Sequence, residues 1–133
     1  MRIMQDAMAG REQRRIKVLL VEDETLIAEL MTEVLTEHGF EVHAALDAAQ
    51  ALDHLAADQN VDVLFTDVNL GDGMDGAELA QRARELRPDL PIVYASGRHT
   101  AGTIAPLVSR SLFLNKPYHP EDVCALIDRL AVH

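Results

Sequence analysis

The chain has 133 residues, 48% of them hydrophobic, and this length and composition suit one domain with a single core. Its 22 acidic and 12 basic residues give a formal net charge of -10, which disfavours nucleic-acid binding because such binding neutralises phosphates with Lys and Arg. The sequence has no apolar run near the roughly 20 residues that span a bilayer, no signal peptide and only one cysteine, Cys124, so we expect a cytoplasmic protein that does not insert into membranes.

Residues 1–14 are predicted to be an N-terminal extension, either a short helix or a disordered segment, and residues 15–133 to be the folded domain. Ile3, Met4, Ala7 and Met8 recur at helical spacing, which is compatible with a helix. Residues 1–17 hold five basic and two acidic side chains, a balance of +3 that leaves -13 for the rest of the chain. We interpret this stretch as a solvated segment, and a basic docking arm is the alternative.

Five short apolar runs are predicted to be β-strands, because each is bounded by charged or turn-forming residues. They cover residues 16–21, 40–45, 61–66, 91–95 and 112–114. A helix is predicted after each strand. In the first helix, apolar residues at intervals of three and four form one stripe of Leu26, Ile27, Leu30, Met31, Val34 and Leu35. Gly39 is expected to end this helix in the left-handed conformation.

The later helices carry weaker signals. Asp47 is expected to cap the second helix, whose Leu52 and Leu55 face inward. The third helix is marked by Leu79, Ala83 and Leu86, and Pro88 requires it to end nearby. The fourth, at residues 100–109, contains Gly102, Thr103 and Pro106, so we expect it to be short or mobile. The last helix has Pro120 near its first turn and an apolar stripe of Val123, Leu126, Ile127 and Leu130.

Strands that alternate with helices predict an α/β fold, a parallel sheet with helices on both faces. Right-handed crossovers leave few topologies, and the length fits an open, doubly wound sheet of about five strands. A closed eight-stranded barrel needs about 250 residues and is excluded.

Polar side chains follow four of the predicted strands. Glu22 and Asp23 come after the first strand, Asp67 after the third, Ser96 after the fourth and Lys116 after the fifth. The carboxyl ends of parallel strands open on one edge of the sheet, where ligands bind in open α/β folds. We therefore expect these five side chains to form one site.

The three carboxylates of this site predict a bound divalent cation. Two like charges about 4 Å apart repel by roughly 4 kcal/mol at an effective dielectric constant of 20, and a cation removes that cost. Oxygen ligands favour Mg²⁺, or Mn²⁺, over zinc. A carboxylate can also attack a phosphoryl group, so Asp67 is a candidate phosphoryl acceptor, with Lys116 and Ser96 placed to neutralise or bind phosphoryl oxygens.

Four segments together resemble the receiver domain of two-component response regulators. They are Val-Leu-Leu-Val-Glu22-Asp23-Glu24, Leu-Phe-Thr-Asp67-Val-Asn-Leu, Tyr-Ala-Ser96-Gly and Asn-Lys116-Pro117-Tyr. The resemblance runs from residue 16 to about residue 132. It implies a flavodoxin-like (βα)5 fold with strand order 2-1-3-4-5.

The resemblance also implies roles for individual residues. Asp67 is similar to the phosphorylated aspartate and a metal ligand, Asp23 to an acidic metal ligand, and Glu22 to its partner acting through water. Asn69 is similar to the residue whose main-chain carbonyl completes the metal site. Lys116 matches the family's lysine, whose bond to the following proline is usually cis.

Two further residues resemble the family's switch. Ser96 matches the hydroxyl that follows the phosphoryl group, and Phe113 the aromatic residue that turns inward with it. The acidic pair is Glu-Asp rather than the commoner Asp-Asp, and the loop at residues 70–76 is about one residue longer than usual and lacks the family's proline. These features are similar to those of a receiver subgroup whose fourth strand reads Phe-Ala-Thr-Gly. Many members of that subgroup are stand-alone proteins. Because switching in the subgroup need not follow the hydroxyl–aromatic scheme, the resemblance leaves the role of Phe113 undecided.

The expected function is that of a phosphoacceptor in a phosphorelay. The resemblance implies a phosphohistidine donor on a sensor histidine kinase or a histidine phosphotransfer protein. It implies self-phosphorylation and slow self-dephosphorylation, and no ordinary enzymatic turnover. Output is expected through protein contacts with an unknown target, at the fourth helix, fifth strand and fifth helix.

Two alternatives come from other functional classes. A pseudo-receiver would bind partners regardless of phosphorylation, but Asp23, Asp67 and Lys116 are all present, which argues against it. A metal-dependent phosphohydrolase would use Asp67 as its nucleophile. Such enzymes often carry a second acid two residues later, and here that position is Asn69.

Overall fold

The computed structural model describes residues 15–71, 74–97 and 108–131. Within these ranges the elements run in the order β1 (Lys17–Val21), α1 (Thr25–His38), β2 (Glu41–Ala45), α2 (Ala48–Ala57), β3 (Val63–Asp67), α3 (Gly76–Leu86), β4 (Ile92–Ser96), β5 (Ser111–Asn115) and α4 (Pro120–Ala131). None of the four helices described there has the length and apolarity to span a membrane.

The five strands form one parallel sheet in the order β2-β1-β3-β4-β5. The predicted fold class and strand order are therefore confirmed. β3 is the central strand, and all five of its residues are buried. Asp67 pairs with Ala95, and Ser96 pairs with Asn115, so the carboxyl ends of β3, β4 and β5 lie at one edge of the sheet.

A hydrophobic cluster covers each face of the sheet. On one face, α2 and α3 pack Leu55, Leu79 and Ala83 against alternate residues of the strands, such as Leu64 and Tyr94. On the other face, α1 and α4 contribute five buried residues, Met31, Leu35, Val123, Cys124 and Ile127. Helices on both faces are what a doubly wound sheet requires, because each face must be removed from water.

The helix boundaries follow local signals. Asp47 Oδ1 accepts a hydrogen bond from the Gln50 N–H at 2.8 Å, which confirms it as the N-cap of α2. Gly39 ends α1 with φ of 111°, a conformation that glycine adopts without strain, and its N–H donates to the Thr36 carbonyl at 3.0 Å. α3 ends at Leu86, two residues before Pro88. The Lys116–Pro117 peptide bond is cis, as the resemblance implies.

The predicted stripe of α1 is wrong at two positions. Leu26 and Leu30 are 68% and 55% exposed, whereas Ala28, Met31 and Leu35 are buried. The buried face of α1 is therefore rotated away from Leu26 and Leu30. Leu79, Ala83 and Leu86, which mark the third predicted helix, all lie in α3, and Leu86, in its last turn, is 48% exposed.

Two predictions concern residues largely outside the described ranges. Residues 1–14, predicted to be an extension, and residues 98–107, which include most of the predicted fourth helix, lie outside them. The last two positions of that predicted helix are described, and neither Val108 nor Ser109 is helical.

Candidate functional site

Asp67 is the last residue of β3, and both of its carboxylate oxygens accept hydrogen bonds. Lys116 Nζ donates to Oδ2 at 2.7 Å, and the main-chain N–H of Asn69 donates to Oδ1 at 3.1 Å. Burial of β3 on both faces of the sheet leaves Asp67 9% exposed. The strand therefore places the Asp67 carboxylate at the edge of the sheet, and the hydrogen bonds from Lys116 and Asn69 fix the orientation of that carboxylate.

Two further acids lie beside Asp67. Carboxylate oxygens of Glu22, Asp23 and Asp67 lie within 4.8 Å of one another. Glu22 and Asp67 are buried, whereas Asp23 is exposed. The donor set consists of oxygen atoms alone and includes an exposed residue, which fits a hard divalent cation such as Mg²⁺ that keeps some of its water ligands.

Glu22 is held from two sides. Its Oε2 accepts a hydrogen bond from the Glu24 N–H at 3.1 Å, and its Oε1 lies 3.9 Å from Lys116 Nζ. Burial raises the pKa of the Glu22 carboxyl to about 7, and the charge of Asp67 adds to the rise, whereas the Glu24 N–H and Lys116 oppose it. In the metal-free state this side chain therefore resists taking up a full negative charge.

Lys116 follows β5 and reaches back to the acids. Its main-chain N–H donates to the Ser96 carbonyl at 2.9 Å, which joins the ends of β4 and β5. Burial lowers the pKa of the Lys116 ammonium, but the hydrogen bond and charge of Asp67 outweigh burial, so the pKa is raised. Lys116 is therefore a fixed positive charge against Asp67.

These groups surround a cavity of about 430 Å³ at the carboxyl edge of the sheet. Its lining consists of Asp23, Glu24, Asp67, Asn69, Gly71, Gly97 and Lys116. The cavity has room for a phosphoryl group, and both acidic and basic side chains line it. Such an arrangement can hold a cation and a phosphoryl group side by side.

Most of the residues predicted for the site lie together. Glu22, Asp23, Asp67, Asn69 and Lys116 form the cluster just described. Ser96 ends β4, is 1% exposed and is joined to Lys116 through the main chain.

The structure places Phe113 elsewhere and adds other residues to the site. Phe113 is half-buried in β5 and packs against the hydrophobic cluster on the α2 and α3 face. Glu24, Gly71 and Gly97 line the cavity, although the sequence did not single them out. The glycine-rich composition of residues 70–76 was the only sequence signal that pointed to Gly71.

The family model for the response regulator receiver domain matches residues 18–128. The chain belongs to the response regulator receiver domain family. The match includes every residue predicted for the site, and it confirms the resemblance that the four sequence segments indicated.

Curated relatives of this receiver domain are longer proteins. The nitrogen assimilation regulatory protein NtrX of Azorhizobium caulinodans is 30% identical over 115 residues, which are 84% of this chain and 25% of NtrX. The regulatory protein VirG of Agrobacterium tumefaciens is 34% identical over 113 residues, 83% of this chain and 41% of VirG. The chain therefore spans between a quarter and two fifths of these relatives.

Solved receiver structures have the same fold. A response regulator receiver protein from Sinorhizobium medicae superposes with a TM-score of 0.82 at 30% identity, covering 89% of this chain and 95% of that one. The chemotaxis response regulator CheY4 of Vibrio cholerae gives a TM-score of 0.77 at 27% identity, covering 87% of this chain and 98% of that one. The receiver domain thus matches these two chains over nearly their whole length.

Proposed function

We propose that this receiver domain takes a phosphoryl group from a phosphohistidine onto Asp67 and reports its phosphorylation state through protein contacts. The donor is a sensor histidine kinase or a histidine phosphotransfer protein. The observation that carries the proposal is the 2.7 Å contact between Lys116 Nζ and Asp67 Oδ2 beside three clustered carboxylates. A paired cation and carboxylate at the mouth of a cavity suit phosphoryl transfer, which depends mainly on positioning and charge neutralisation.

The proposed metal is Mg²⁺ or Mn²⁺. Asp23, Asp67 and the main-chain carbonyl of Asn69 would hold it, and Glu22 would contact it through water. The oxygen-only donor set of the acidic cluster fits this group of ions. When bound, the ion neutralises negative charge on phosphoryl oxygens that approach Asp67.

In the proposed reaction, a carboxylate oxygen of Asp67 forms a bond to phosphorus. The bond from phosphorus to the donor imidazole breaks, and its electron pair returns to the imidazole nitrogen. Lys116 exchanges its contact with Asp67 for one with a phosphoryl oxygen, and the Ser96 hydroxyl donates to another. The domain phosphorylates and slowly dephosphorylates itself, without turnover of an external substrate.

We also propose that output uses protein contacts rather than direct nucleic-acid binding. The net charge of -10 supports this proposal. One curated relative, NtrC of Azospirillum brasilense, is named a DNA-binding transcriptional regulator, but this chain covers 23% of it. The name refers to the whole relative, and more than three quarters of that relative lies outside the matched part.

A phosphotransfer profile against candidate histidine kinases tests the proposal. Wild type and Asp53→Asn should be labelled by at least one kinase, whereas Asp67→Asn should not. Asp53 is a matched control because it is an exposed acid on α2, outside the site. Labelling of Asp67→Asn equal to wild type would contradict the assignment of Asp67.

Beryllofluoride, which mimics a phosphoryl group on a carboxylate, separates the alternatives. Wild type should bind it together with Mg²⁺, and Asp67→Asn should not. A pseudo-receiver would fail to bind it and would gain no label from any donor. Multiple turnover of a phosphomonoester by wild type would instead support a phosphohydrolase.

A further inference from the structure

Gly71, in the loop between β3 and α3, lies unusually close to one of the site's acids. Its φ is +74°, and it lines the cavity that contains Asp67 and Lys116. A Cβ atom built on Gly71 would lie 3.1 Å from Asp23 Oδ2. Among the described residues, Gly39 is the other glycine with positive φ, and it has no heavy atom within 4 Å of the same position. The close approach to a carboxylate thus distinguishes Gly71 from a glycine that only turns the chain.

We propose that Gly71 is a positioning residue for the metal site, because its missing side chain lets the β3–α3 loop lie against Asp23 and keeps that carboxylate where a cation needs it. The inference rests on the metal-binding part of the proposed function and does not depend on phosphoryl transfer. Gly71 would set the affinity of the site for a divalent cation without itself being a ligand.

The side chain of Asp23 is the least constrained of the three acids. Asp23 is exposed, unlike the buried Glu22 and Asp67, so packing within the core does not fix its side chain. Metal–ligand distances tolerate only about 0.2 Å of error. The loop main chain at Gly71 is therefore well placed to restrict this ligand on the side facing the cavity.

A methyl group at position 71 would act differently in the two states of the site. At 3.1 Å from Oδ2 it is closer than ordinary van der Waals contact, so the carboxylate must move by a few tenths of an ångström. Without a cation, the exposed Asp23 side chain can rotate towards water at little cost. With a cation bound, the same movement would break or lengthen a ligand bond, so the substitution should weaken binding of the cation selectively.

The test compares Gly71→Ala with Gly39→Ala, using Mn²⁺ binding followed by electron paramagnetic resonance. Both substitutions place alanine at a positive φ and should lower the melting temperature in EDTA. Only Gly71→Ala should weaken Mn²⁺ binding, by about tenfold, as residues that orient metal ligands commonly do. Gly39→Ala should bind Mn²⁺ with the wild-type dissociation constant.

Two further variants separate the contact from general loosening of the loop. Asp75→Ala removes the N-cap of α3, whose Oδ1 accepts from the Glu78 N–H at 2.8 Å, without adding an atom near Asp23. It should leave the Mn²⁺ dissociation constant within about twofold of wild type, well below the tenfold effect of a residue that orients a ligand. In an Asp23→Ala background, Gly71→Ala should weaken binding no further, because the carboxylate it displaces is absent.

The outcomes distinguish this inference from the proposed function. If wild type fails to bind Mn²⁺, the proposed metal site itself is wrong. If wild type binds Mn²⁺ and Gly71→Ala binds it equally well, the role of Gly71 is refuted while the metal site stands. Equal weakening by Asp75→Ala, or an undiminished effect in the Asp23→Ala background, would also refute it.

Discussion

Lys116 Nζ lies 2.7 Å from Asp67 Oδ2 and 3.9 Å from Glu22 Oε1, so one ammonium group faces two buried carboxylates. The chain has one other lysine that the structure describes, Lys17, at the start of β1 and the opposite edge of the sheet. Its Nζ donates to Asp58 Oδ2 at 2.9 Å. Lys17 is therefore a suitable control for Lys116, because both lysines contact a carboxylate but only Lys116 lies in the acidic cluster.

Lys116→Met should lower the free energy of unfolding by about 1–2 kcal/mol in EDTA, after allowance for the partial exposure of the side chain. The loss should shrink when Mg²⁺ is added, because a bound cation also neutralises the carboxylates. Urea denaturation with EDTA and with Mg²⁺ measures both values. Lys17→Met should cost less and show no dependence on Mg²⁺. An equal response of the two variants to Mg²⁺ would count against Lys116 as counter-charge of the metal site.

Gly76→Ala should destabilise the fold by about 2 kcal/mol or more, because a Cβ atom there would overlap the Asp67 carbonyl oxygen and lie 2.9 Å from Val68 Cα. Backbone atoms cannot rotate away as a side chain can. Gly97→Ala is the control, since its Cβ would meet the Lys116 side chain at an ordinary 3.5 Å. Thermal unfolding should separate the two, and a stability of Gly76→Ala equal to that of Gly97→Ala would show that the loop is free to retreat.

Tyr94→Phe should cost about 1 kcal/mol, because the Tyr94 hydroxyl accepts a hydrogen bond from the Val108 N–H at 3.3 Å. Tyr94 is fully buried in β4, so the N–H would lose its partner away from bulk water. Tyr118→Phe is the matched control, since the described residues show no hydrogen bond from the Tyr118 hydroxyl. Its ring packs edge-on against Phe65 in either variant. In urea denaturation, Tyr94→Phe should have a lower free energy of unfolding than Tyr118→Phe. The reverse order would contradict the stabilising role of the Tyr94 hydroxyl.

His54 should lower the stability of the domain as the pH drops from 7.5 to 5.5, whereas Glu22, whose pKa burial raises to about 7, should increase it over the same range. Burial lowers the pKa of the His54 imidazole, stacked 3.8 Å from His43, and the charges of His43 and Lys17 add to this while Asp58 opposes it. At His54 the folded state thus binds fewer protons than the unfolded state near the ordinary histidine pKa of about 6.5, so the stability that His54 contributes above that pH is lost below it.

Urea titrations at several pH values test the role of His54. His54→Gln should reduce the slope of stability against pH in this range. His43→Gln should reduce it by a smaller amount, because it removes only one of the causes of the shift. An unchanged slope in His54→Gln would show that other groups govern the dependence.

The sequence predicted the architecture and the chemical core of the site because both follow from local patterns. Five apolar runs separated by helical periodicity were enough to predict the sheet, and polar residues directly after strands were enough to predict the edge. The placement of Asp67, Glu22 and Lys116 needed no knowledge of side-chain packing. Parallel strands bring their carboxyl ends together whatever fills the core.

Local patterns failed where the orientation of a helix or a long-range contact decides the outcome. Leu26 and Leu30 are more hydrophobic than Ala28, yet the buried residues of α1 are Ala28, Met31 and Leu35, because the orientation of the helix decides which of its faces is covered. Gly71 approaches Asp23, which is far away in the sequence. Gly76 approaches Asp67 because the loop after β3 folds back on the end of the strand. The periodicity of hydrophobic residues does not predict such contacts, although the sequence shows that glycines occur at these positions.

β3 belongs to both hydrophobic clusters: Val63 and Phe65 face α1 and α4, whereas Leu64 faces α2 and α3. In the described part of the chain, no helix is shared between the two clusters. The strand that ends in Asp67 thus packs against both hydrophobic clusters, one on each face of the sheet. A displacement of the carboxyl end of β3 would therefore change the packing on both faces of the sheet at once.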